Sequence, residues 1–140
     1  DEVDALGIDE EPNEAFVYEN QELGDMATAL AQALVCRKSA AVEAIRNSTH
    51  PAARRVVKEM TSQWEGAKEL VSGRDFVYMK ETGRYCSLRA GRADPNSWSL
   101  TLECRNFQDE LSRRILYKER MFVMSRPRVF RKYFRILGVS

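Results

Sequence analysis

A chain of 140 residues, 31% charged and 44% hydrophobic, has the size and balance of a globular domain. No apolar run approaches the ~20 residues that span a bilayer, and no secretory signal pattern occurs, so a cytoplasmic or nuclear protein without a membrane span is expected. The net charge of +1 hides a segregation of sign along the chain.

Residues 1–25 hold ten acids and no Lys or Arg, whereas the remaining 115 residues hold 22 bases against 11 acids, a net +11. Acid-rich and interrupted by Gly7 and Pro12, residues 1–15 are expected to form a disordered tail, with residues 16–140 as a single compact domain. Phe16, Val17 and Tyr18 make a small apolar cluster suited to docking on that body. From Asn20 to Asn47 the chain reads as helical, because Leu23, Met26, Ala27, Leu30, Ala33 and Leu34 recur along one stripe. Arg37-Lys38-Ser39 interrupts it, and Ala41, Val42 and Ile45 continue an apolar face. Ser48-Thr49-His50-Pro51 is a break with capping residues and an early proline.

Over 51–72, Ala53, Val57, Met60, Trp64, Ala67 and Val71 form the seam of a long helix, with Trp64 as a core anchor. The same seam would suit an intermolecular coiled coil, which leaves a homo-oligomer open. Val42-Glu43-Ala44-Ile45-Arg46, with Lys58 and Trp64, resembles part of the helical N-terminal domain of transcription elongation factor S. The strands expected next have no place in that bundle, so the family is not adopted.

Residues 74–80 and 84–89 read as strands around the turn Glu81-Thr82-Gly83. Residues 90–97 form a loop with Asp94-Pro95-Asn96 turn chemistry. Trp98, Leu100, Leu102 and Cys104 then alternate with polar residues, the pattern of a third, half-buried strand. Arg84, Arg89 and Arg92 fall near one edge of this meander and its long loop. Asn106 is expected to cap a helix with Phe107, Leu111 and Ile115 on one face. The run Met121-Phe122-Val123-Met124 suits either a buried helix end or a short strand. Ser125, Pro127 and Gly138 delimit a last helix with an apolar face of Val129, Phe130, Tyr133, Phe134 and Leu137. Its other side presents Arg128, Arg131, Lys132 and Arg135. The expected fold is α+β, with a helical N-terminal half, a three-stranded antiparallel meander and two C-terminal helices.

No phosphate-loop, dinucleotide-fingerprint, zinc-protease or nucleophile-elbow motif is present, and no enzyme is expected. Cys36, Cys86 and Cys104 lack C-x-x-C spacing, and His50, the single histidine, lies elsewhere. The expectation is therefore reduced thiols, no metal and no cofactor. Sixteen of the 22 bases are Arg, which favours planar, bidentate contacts to phosphate or carboxylate. Residues 105–140 hold ten bases and three acids interleaved with aromatics, the pattern of a phosphate-backbone contact. The expected function is a non-catalytic module that binds RNA or another nucleic acid through Arg89, Arg92, Arg113, Arg114, Arg128, Arg131, Lys132 and Arg135. The alternative is a protein-interaction or assembly domain whose arginines meet an acidic protein partner.

Overall fold

In the computed structural model, which describes residues 14–123, strand β1 (Glu14–Glu19) leads into helix α1 (Gln21–Val35). Asn20 caps α1: its Oδ1 accepts the Leu23 N–H at 3.1 Å, satisfying one of the donors that a helix start leaves free. The expected stripe is the buried one, with Leu23, Ala27, Leu30 and Ala33 in the core and Met26 and Leu34 partly buried. Arg37 ends the helix in the left-handed region at φ 55. Its N–H bonds Leu34 O, and the Lys38 N–H bonds Ala33 O at 2.9 Å, the paired closure that glycine usually provides.

Helix α2 (Ser39–Arg46) buries Val42 and packs Ala41 and Ile45 against the core. Helix α3 (Ala53–Lys68) starts two residues later than the expected Pro51. Ala52 stands at its N-cap, and His50 Nδ1 accepts the Ala52 N–H at 3.0 Å. Ala53, Val57, Met60, Trp64 and Ala67 are buried along the expected seam, joined by Val56. Val71 does not continue that seam; the helix has already ended, and Val71 is exposed. There the chain folds back, with Asp75 Oδ2 accepting the Val71 N–H at 2.8 Å. Arg74 and that N–H hold the Asp75 carboxyl below its usual range.

Strands β2 (Phe76–Met79), β3 (Arg84–Arg89) and β4 (Arg92–Ala93) form a three-stranded antiparallel sheet in that order. Phe76 lies opposite Ser87 and Met79 opposite Arg84. The third strand is not the one the alternation at 98–104 predicts. Ser99 Oγ accepts the Leu102 N–H at 3.0 Å and starts helix α4 (Leu100–Gln108). This helix buries Leu100, Glu103, Cys104 and Asn106. The buried face is therefore a helical stripe containing two polar residues, which the apolar/polar alternation conceals. Asn106, expected as a cap, sits inside this helix, and α4 ends where the expected helix was to begin. Glu110, at φ 63, closes it as Arg37 closes α1, with Leu111 N–H on Asn106 O at 2.8 Å.

Ile115 and Tyr117 are buried on an irregular segment. Strand β5 (Lys118–Val123) follows, so residues 121–123 are strand rather than helix. Strands β1 and β5 pair in a separate two-stranded sheet. Glu19–Lys118 makes one compact unit, and residues 14–18 and 119–123 belong to a second. Most of the expected acidic tail and the expected C-terminal helix lie outside the described residues. The fold is α+β, with helices toward both ends of the larger unit and the antiparallel sheet between them in sequence.

Trp64, 4% exposed, meets Phe107 edge-on with ring centroids 6.1 Å apart. Trp64→Ala is expected to destabilise the protein by about 3–5 kcal/mol in urea melts, as a large-to-small core change does. A loss of only a few tenths would place the indole outside the core.

Candidate functional site

The turn between β3 and β4 has two central residues, Ala90 at φ 53 and Gly91 at φ 78. Two successive positive φ values define the tight hairpin turn whose twist matches that of its strands. Glycine adopts this conformation freely, but alanine strains to do so. The turn sets Arg89 directly opposite Arg92 in the ladder. Cross-strand partners share a face, with Cβ atoms roughly 4.5–5.5 Å apart, and like charges so placed repel. Arg89 Nε reaches Asp94 Oδ2 at 3.6 Å, but its side chain is 76% exposed. An exposed pair of this length contributes little and leaves the guanidinium's donors to solvent. Arg92 is exposed and forms no ion pair among the described residues.

Asp94 also lines a cleft of about 430 Å³ bounded by β3, the 94–99 segment, the start of α4 and residues 116–118. Trp98 forms part of its wall. Its Nε1–H donates to Leu116 O at 2.9 Å, and its ring meets Tyr117 edge-on at 6.4 Å, so the indole is fixed in place. Lys118 lines the cleft without an ion pair among the described residues. Arg84 also lines it, but is committed to Glu103 through Nη2 at 2.7 Å. The other Glu103 oxygen accepts the Leu116 N–H at 2.9 Å.

The structure brings together only part of the expected set. Arg89 and Arg92 form a pair. Arg113 and Arg114 lie elsewhere: their neighbour Ser112 approaches Arg84 at 3.4 Å, five residues along β3 from Arg89, or roughly 16 Å. Arg114 is occupied, donating to Asp25 Oδ1 at 2.6 Å and to Gln21 O. It lies across Gly24, where a Cβ would come within 3.1 Å of its Nη2. Arg113 is exposed and lines a separate depression of about 360 Å³ with Gln32, Phe107 and Glu110. Arg128, Arg131, Lys132 and Arg135 lie outside the described residues. Lys118 and Trp98 join the site without having been singled out for it. The alternation at 98–104 assigns Trp98 to a sheet face, and Lys118 carries no motif.

Among the described residues, no three His, Cys, Asp or Glu side chains are grouped to hold a metal, and no helix is long and apolar enough to cross a membrane. Burial, with the neighbouring Glu103 charge adding to it, pushes the Cys104 thiol up to about 12, so it stays protonated at neutral pH and is a poor nucleophile. No protein-family model, curated protein or solved structure matches this chain significantly.

The hairpin geometry predicts a specific response at residue 90. Ala90→Asn, which suits a left-handed position before glycine, is expected to raise stability by about 0.5–1 kcal/mol. Ala90→Val is expected to lower it, since a β-branched residue at positive φ is an outlier. Equal urea midpoints for all three proteins would show that the turn does not hold this conformation in solution.

Proposed function

We propose that this chain is a non-catalytic binding module that engages RNA or another nucleic acid through arginines presented by the β3–β4 hairpin. The observation that carries the reading is Arg89 opposite Arg92 across a two-residue turn, with Asp94, 3.6 Å from the exposed Arg89, as the pair's one acid contact among the described residues. Such a pair opposes folding by its own repulsion and is relieved by an anion that bridges it. Guanidinium groups suit this role because their planar donors match phosphate oxygens in pairs. Lys118 adds a third cation in the adjoining cleft. The protonated Cys104 thiol gives no support to catalysis, and three free thiols accord with a cytoplasmic or nuclear setting.

Fluorescence anisotropy of a labelled single strand at several salt concentrations tests the reading. Each phosphate contact contributes about −0.7 to the slope of log affinity against log salt on single strands, so Arg89→Gln with Arg92→Gln should flatten it by roughly 1.4. An unchanged slope in a folded variant removes the hairpin as the contact. Absence of wild-type binding at low salt, with binding to an acidic polypeptide instead, gives the arginines to an acidic protein partner.

A further inference from the structure

We propose that the cleft beside the hairpin receives one unstacked base of a single strand whose phosphates lie against Arg89, Arg92 and Lys118. This rests on the nucleic-acid reading above and goes further, because it makes the module selective for single strands.

Two cations and two acids line the cleft. The cations available to an incoming anion are the hairpin pair and Lys118. The acids are Glu103, held by Arg84 and the Leu116 N–H, and Asp94, whose contact with Arg89 is exposed and 3.6 Å long. With Arg84 and Lys118 in the same lining, the cleft carries no net formal charge, which suits a neutral ring better than a phosphate. Arg89 links the two regions, since the acid it pairs with is itself part of the cleft wall.

The cleft matches a ring in size and composition. Its volume of about 430 Å³ lies within the roughly 300–1,000 Å³ of small-ligand pockets. Trp98, Leu102, Leu116 and Met79 give it apolar surface, and Asn96 and Ser97 give it polar atoms. A base stacked within a duplex cannot enter such a space, whereas an unpaired base turns out of the strand readily. Aromatic side chains take any base through its π-face. The Trp98 indole is held by its bond to Leu116 O and by Tyr117, so little side-chain freedom is lost when a base meets it.

Trp98 is also a built-in reporter. The chain has two tryptophans, and the other, Trp64, is buried in the core. The test titrates the full chain with three probes at low salt: a short single strand, the same strand made of abasic sugar-phosphate, and a duplex of equal length. The single strand is expected to quench tryptophan emission and to bind about tenfold more tightly than the abasic strand, as stacking of one base implies. Trp98→Ala, checked for folding by circular dichroism, should remove both the quench and the preference while keeping the salt slope. Equal affinity for base-bearing and abasic strands without quenching overturns this inference and leaves the nucleic-acid reading standing. A duplex bound as tightly as the single strand also overturns it. Failure of every probe to bind overturns both readings. The abasic comparison needs no variant, so a Trp98→Ala protein that fails to fold does not rescue the idea.

Discussion

Glu103 is a carboxylate placed where charges are costly to place. Its side chain is 10% exposed, and an ion taken that far from water destabilises a fold unless its oxygens are satisfied. Both are: Arg84 donates from β3, and the Leu116 N–H donates from the segment leading to β5. Three elements separated in sequence thus meet at one side chain. One turn further along α4, buried Asn106 repeats the arrangement. Its Oδ1 accepts the Tyr85 N–H at 2.9 Å, and its Nδ2 donates to Leu102 O at 3.0 Å. Strand β4 is only two residues long and pairs with Leu88 and Arg89, so it does not extend to Tyr85. A helix side chain does the work of a missing strand.

These two residues also explain which parts of the fold were legible. The stripes of α1 and α3 are apolar throughout their buried faces, so spacing alone reveals them. The β2–β3 turn is announced by Gly83, which sits at φ 71. Trp98 to Cys104 misleads because the face that packs inward includes Glu103, a residue whose burial depends on a partner distant in sequence. A pattern that sorts residues by polarity places it outside and finds a strand. Asn106 misleads in the same way: its amide reads as a cap, but it is serving a backbone donor on another element. Val71 fits the α3 seam in spacing, yet the helix ends at Lys68 and the Val71 N–H bonds Asp75 in the turn that follows.

The arginines were legible as a population and not as a surface. Arg105 donates to Ala67 O in the last turn of α3 and to Leu70 O just past it, bonds Asp109 at 2.9 Å and lies 5.0 Å over the Phe76 ring. Such contacts complement the exposed carbonyls of a helix end and add a cation–π term. The same Asp109 accepts the Tyr85 hydroxyl, which pushes that phenol up from its ordinary range. Arg84 and Arg114 are likewise tied to acids of the same unit. Sequence counts all of these alike, and only the packing separates arginines that hold the fold from Arg89 and Arg92, which the hairpin leaves facing solvent. The candidate site therefore depends on the structural ones: Arg84 and Glu103 fix the wall against which the hairpin and Trp98 are arranged.

A double-mutant cycle across Arg84 and Glu103, followed by urea unfolding, tests that dependence most directly. With Arg84→Met, Glu103→Leu and the combined variant, each single change should strand a partner in a poorly solvated site. The double change should recover much of the loss, giving a coupling within the roughly 0.5–3 kcal/mol of contacting residues in one network. Losses that add to within about 0.5 kcal/mol would contradict the account, because they would mean that Glu103 and Arg84 do not hold the helix, strand and cleft wall together.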